Sequence, residues 1–152
     1  MADCKLTSNY SEPPRHSIKA HLILDTQQRK RFLSSLFGRY FIRGESLIYA
    51  WMRDLSDEYQ GGYWNYYKLS NGGLYMSPEI ASPYLRIRQN NFRGAMSTDA
   101  LGIVCTLSTL RYLVYDPSVQ IGCDLLTQNF FRLLHFVSDH REDRAIRIAI
   151  DC

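Results

Sequence analysis

One segment constrains this chain more than any other. Ser97-Thr98-Asp99 has the chemistry of a helix N-cap, and behind it Leu101, Ile103, Val104, Cys105, Leu107, Leu110, Leu113 and Val114 fall on almost every side of the helix. A helix that is apolar nearly all round belongs inside a protein core or a bilayer. The bilayer is excluded, because the apolar stretches are interrupted well short of the roughly 20 residues that span a membrane. The helix is therefore central to a globular core. The chain's 152 residues suffice for one such core, since a domain of about 150 buries roughly 68–70% of the surface its unfolded chain exposes. With 45% hydrophobic and 22% charged residues it lies far from the composition of disorder.

Residues 1–17 are polar, carry Pro13-Pro14 and show no periodicity, which predicts a flexible N-terminal arm and leaves 18–152 as the folded domain. Ile18, Ala20, Leu22 and Leu24 alternate with Lys19 and His21, the pattern of a half-buried strand. Asp25-Thr26 caps a helix over 27–37, where Phe32, Leu33 and Leu36 share a face and Gly38 supplies the stop. A longer helix is expected over 43–59 from Leu47, Ile48, Trp51, Met52, Leu55 and Tyr59, ending at Gly61-Gly62. Strands follow over 63–69 and 74–77, joined by Ser70-Asn71-Gly72-Gly73, because Asn-Gly adopts the positive φ angles of tight hairpin turns. Tyr84-Leu85-Arg86-Ile87-Arg88 adds a third strand, and 89–94 reads as a polar loop.

Asp116-Pro117-Ser118 breaks the central helix and starts a last long one, with Leu126, Phe130, Leu133, Leu134 and Val137 as its stripe. The tail over 144–152 is a short apolar-basic helix or strand. This order is that of an α+β fold: a single compact domain with a small antiparallel meander packed against about four to five helices.

Motifs for chemistry are missing. His16, His21, His135 and His140 form no H-E-x-x-H, and Cys4, Cys105, Cys123 and Cys152 form no C-x-x-C, so neither a metal site nor a disulfide framework is indicated. No G-x-S-x-G, Walker loop or G-x-G-x-x-G occurs, which leaves no catalytic or cofactor-binding residue to name. The N-terminus lacks a signal-peptide apolar core, so the expected location is the cytoplasm. Two features are ambiguous. The aromatics Tyr59, Tyr63, Trp64, Tyr66, Tyr67 and Tyr75 either pack beneath helices or form a base-stacking platform beside Arg86, Arg88 and Arg93. The run Arg29-Lys30-Arg31, with Arg39 and Arg43, is either a solvated helix face or a phosphate site.

Several blocks together are specific: Phe37-Gly38-Arg39, Gly61-Gly62-Tyr63-Trp64, Leu69-Ser70-Asn71-Gly72-Gly73-Leu74-Tyr75-Met76, Met96-Ser97, Asp99-Ala100 with Gly102, and Ala149-Ile150-Asp151. From about residue 18 to the end the chain resembles the ArdB/KlcA antirestriction family. It departs at Arg88-Gln89-Asn90-Asn91, where the resemblance calls for a Pro-Gly loop.

The resemblance implies an accessory protein of plasmids or other mobile elements that relieves restriction by host type I restriction-modification systems, with no catalytic activity and no cofactor. Its implied partners are restriction-modification subunits or a host factor controlling them. It implies no stable DNA contact, no membrane contact and no particular oligomeric state. Candidate contact residues are Tyr63, Tyr67, Asn71, Tyr75, Asp99 and Asp151.

Charge excludes one route to that function. A domain of this length is roughly 38 Å across, and a duplex of that length shows about 22 phosphates. The chain has 15 Asp and Glu mixed with 18 Lys and Arg, a net charge of +3, and cannot imitate DNA by charge. A nucleic-acid-binding module using the arginine and aromatic sheet face is the alternative function.

Overall fold

The computed structural model describes residues 17–119 and 123–151, so all but Ser17 of the expected arm lies outside the described residues. The elements are β1 (Ala20–Leu22), α1 (Thr26–Phe37), a short 3-10 turn (Gly38–Tyr40), α2 (Phe41–Leu55), β2 (Tyr63–Leu69), β3 (Leu74–Glu79), β4 (Tyr84–Gln89), β5 (Phe92–Ser97), α3 (Thr98–Tyr115), α4 (Cys123–Val137) and α5 (Asp143–Ile150). The α+β class is as the element order implied. The strands divide into two antiparallel sheets, β1-β2-β3 and β4-β5, where the sequence suggested one meander.

The central helix is α3. Ser97 Oγ accepts the Ala100 N–H at 3.1 Å as its N-cap, and 13 of its 18 residues are buried. It packs on β3 and against α2, α4 and α5. Each fully buried Leu, Ile or Val contributes roughly 1.5–3 kcal/mol, so this helix alone organises much of the core. Its approach to β3 depends on Gly102, where a Cβ would stand 2.2 Å from the Met76 carbonyl oxygen and 2.5 Å from Ser77 Cα. One turn later the Thr106 hydroxyl donates to the Gly102 carbonyl at 2.8 Å and accepts the Met76 N–H at 3.4 Å.

Several boundaries differ from expectation, and the largest differences have tertiary reasons. β1 is only three residues long, and the inward residues are Ile18 and Ile23, while Leu22 and Leu24 are exposed. The Ile23 N–H bonds the Tyr66 carbonyl, which changes the phase of the alternation after β1. The helix expected to reach Tyr59 ends at Leu55, because Ser56 is extended; Tyr59 instead accepts the Trp64 indole N–H through its hydroxyl at 2.9 Å. The expected loop over 89–94 contains β5: Gln89 pairs with Phe92 across a two-residue turn, with Asn90 at φ 53°. The departure at Asn90-Asn91 is therefore a tight hairpin turn, and Asn90 Nδ2 donates to the Ala149 carbonyl at 2.6 Å. Finally, α4 starts at Cys123 and not at 116–118, where Ser118 donates to Asp116 and Arg43 pairs with the same carboxylate.

Pro78 lies within β3, which is tolerated because β3 is an edge strand of its sheet. The tail is resolved as helix, α5. No helix among the described residues is long and apolar enough to cross a membrane. Cys105 is a free thiol, fully buried, and burial pushes its pKa well above the ordinary value.

Candidate interaction site

The β2–β3 hairpin carries most of the candidate residues, and its turn is built to dock. Asn71 Oδ1 accepts the Gly73 N–H at 2.9 Å, and Asn71 Nδ2 donates to the Arg132 carbonyl of α4 at 2.8 Å. Gly72 has φ 88°, which favours glycine. At Gly73 a Cβ would stand 2.8 Å from Leu69 and 3.1 Å from the Arg132 Cβ, so the turn lies flat on α4. Asn71 thus has both ends of its amide engaged in architecture.

Above the turn, Tyr67 and Tyr75 are cross-strand partners stacked at 4.8 Å with an interplanar angle of 11°. Tyr75 is 1% exposed, so it presents no surface of its own. Its other face meets Phe136 at 5.8 Å, and its hydroxyl donates to Asp99 Oδ1 at 2.7 Å. Burial first, and then the Asp99 carboxylate, push the Tyr75 phenol far above its ordinary value. Tyr67 is half-buried and is raised in the same direction, chiefly by burial.

Asp99 occupies the first turn of α3, where the helix dipole favours a negative charge. Its second oxygen lies 2.8 Å from His140 Nε2, while His140 Nδ1 accepts the Glu142 N–H at 3.0 Å. That acceptor role places the ring proton on Nε2, which donates to Asp99. Glu142 in turn accepts the Ser97 N–H at 3.0 Å and also the Ser97 hydroxyl. One carboxylate therefore ties the hairpin, the start of α3 and the turn after α4 together, with 40% of its side chain open to solvent.

Such a network has limited chemistry. Both nitrogens of His140 are engaged, and the Tyr75 hydroxyl is held as a donor, so neither of these two groups is free to take a proton from a substrate. Among the described residues no group of His, Cys, Asp and Glu is placed to hold a metal ion.

The remaining candidates lie apart. Tyr63 is 55% exposed at the far end of β2, with the Arg29 guanidinium over its ring at 5.0 Å. Asp151 is exposed beyond α5 in the left-handed conformation that Asp tolerates, and its N–H closes the helix on the Arg147 and Ile148 carbonyls. Arg86, Arg88 and Arg93 are on β4 and β5, a different sheet from the aromatic strand β2, so the two halves of the supposed stacking platform belong to separate sheets. The basic run also divides. Arg29 covers Tyr63 and Tyr66, Arg43 pairs with Asp116, and Arg31 faces a cleft toward α4. Sequence reasoning missed His140, Glu142 and Arg132. In the sequence His140 belongs to no H-E-x-x-H motif, and its partner Asp99 is 41 residues distant.

This fold and frame match a known group. The family model described as antirestriction protein matches residues 57–151, well over half of the chain. The chain belongs to the antirestriction protein family. It is 41% identical over 136 residues to the antirestriction protein KlcA of Escherichia coli, covering 88% of this chain and 95% of that one. It is 33% identical over 126 residues to the putative antirestriction protein YubI of Escherichia coli strain K12, covering 81% and 89%. A solved structure superposes with a TM-score of 0.78 at 40% identity, over 93% of this chain and 100% of its own. It comes from work on the KlcA and ArdB proteins, which are described as having a novel fold and antirestriction activity against type I DNA restriction systems in vivo but not in vitro.

Proposed function

We propose that this protein relieves type I restriction of incoming DNA inside a bacterial cell, and that it does so by contacting protein, without catalysis and without imitating DNA. The observation that carries the proposal is the match, over 93% of the chain, to a protein whose antirestriction activity is described in vivo but not in vitro. An effect that needs the cell points to a cellular component that a purified assay leaves out, a restriction subunit in its native assembly or a host factor controlling it. The mixed charge, 18 basic against 15 acidic residues, supports protein contact over DNA mimicry. The saturated hydrogen bonds of His140 support binding over chemistry. The protein would act in the cytoplasm of the host of a plasmid or other mobile element. Its contact surface would include Tyr63, Tyr67, Asn71, Asp99 and Asp151, with Tyr75 acting from beneath by holding Asp99.

The test is the plating of unmodified phage on a host carrying a type I system, with and without expression of the chain. Plating efficiency is expected to rise with expression, while cleavage by the purified restriction enzyme stays unchanged. Unchanged plating with soluble, folded protein in the cell would overturn the proposal.

A further inference from the structure

Between α1, α4 and the β2–β3 turn lies a cleft of about 470 Å³. Ile23, Phe32, Leu74 and Leu125 form its apolar walls, and Arg31, Lys68 and Arg132 stand among them. Among the described residues no carboxylate lines it and none of these cations is in an ion pair. In a chain with nearly balanced charge, this is a local concentration of one sign.

The hydrogen bonds that hold the walls do not use the cationic groups. Asn71 donates to the Arg132 carbonyl, which places the Arg132 side chain along Gly72; a Cβ there would be 3.8 Å from the guanidinium carbon. Asn129, itself buried, donates to the Ser35 and Leu36 carbonyls at 3.1 and 2.8 Å and so ties α4 to the end of α1. Like charges gathered on low-dielectric walls repel one another and focus a positive potential into the cleft, a tension that an anionic occupant relieves.

We propose that the cleft is a docking site for an acidic peptide segment of a partner protein, in which an aliphatic side chain fills the apolar floor and flanking carboxylates pair with Arg31, Lys68 and Arg132. The proposal rests on the protein-contact reading above and gives that contact a chemistry. Charge complementarity selects the acid, and the walls select the apolar anchor. They disfavour a nucleic acid: stacking a base needs an open aromatic face, and the ring of Phe32, the aromatic side chain in this lining, is already stacked on Tyr66 at 4.2 Å. A duplex offers phosphates on a convex surface and no aliphatic group for the floor.

The experiment titrates the full chain into a fluorescein-labelled short peptide of Asp, Glu and Leu and follows anisotropy. Arg31 and Lys68 are exposed, so Arg31→Gln and Lys68→Gln are expected to fold and to weaken binding about tenfold each. Arg88→Gln makes the same charge change on the other sheet and is expected to bind like the wild type. The cleft assignment is overturned if the peptide does not bind, if Arg88→Gln weakens it as much as Arg31→Gln, or if a single-stranded oligonucleotide or inorganic phosphate displaces it at equal concentration. Phage plating separates the two levels. Relief by the wild type and its loss in the Arg31→Gln, Lys68→Gln double variant supports the cleft. Relief by both refutes the cleft's role and leaves the proposed function standing. Relief by neither refutes the proposed function, and the peptide titration then decides the cleft alone.

Discussion

Two groups of polar side chains sit on opposite faces of the same hairpin and are wired in opposite ways. Tyr67 and its partner Tyr75 point to one face; their chain neighbours Lys68 and Leu74, also paired, point to the other. On the tyrosine face Tyr75, Asp99 and His140 satisfy one another. On the lysine face Arg31, Lys68 and Arg132 share a cleft whose lining has no carboxylate among the described residues. The first arrangement adds stability, because a buried hydroxyl and imidazole keep their hydrogen bonds. The second gathers three like charges around one cleft, which favours an anionic occupant more than it favours the fold.

The sharpest way to break this contrast is to separate α3 from β3 and so disturb both faces. Gly102→Ala drives a methyl into the Met76 carbonyl and should cost about 3 kcal/mol or more, read as a large drop in Tm or as insoluble protein. Smaller, and confined to the tyrosine face, is Tyr75→Phe. It deletes a hydrogen bond to a carboxylate, worth about 1.5–3 kcal/mol in urea unfolding at neutral pH.

The same variant has a pH signature. Because the folded state raises the Tyr75 pKa, the phenol's contribution is complete below the free value near 10 and is lost as pH rises beyond it. Stability of the wild type should fall as pH rises past about 9 to 10, and less steeply in Tyr75→Phe, with Cys105, Tyr49, Tyr66 and Tyr67 carrying the remainder. The smallest effect sharpens the comparison: Arg31→Gln with Lys68→Gln should change stability by no more than about 0.5 kcal/mol, or raise it slightly, in the same denaturation assay.

Where a local signal was sufficient, the sequence was legible. Ser97 and Asp99 mark the start of α3 by cap chemistry, Asn71-Gly72 marks the hairpin turn by backbone preference, and the apolar run of α3 marks the centre of the core. β5 was not legible: Arg93 and Gly94 interrupt any apolar alternation, and the strand exists because β4 offers it a pairing edge. The bracing network and the cleft were not legible either. Ser97 meets Glu142 across 45 residues, and the cleft draws one cation each from α1, β2 and α4, so no window of sequence contains either. Tyr75 was legible as an unusual aromatic but not as a buried one, since its depth depends on Phe136 closing over it.

The alternation along β2 divides the labour of inheritance. A substitution at Tyr67 or Tyr75 has to answer to the architecture. A substitution at Lys68, one position away, leaves that stacking in place and changes the charge of the cleft. Under the proposed docking, single replacements on the lysine face can follow a changing partner while the packing around Tyr75 stays as it was.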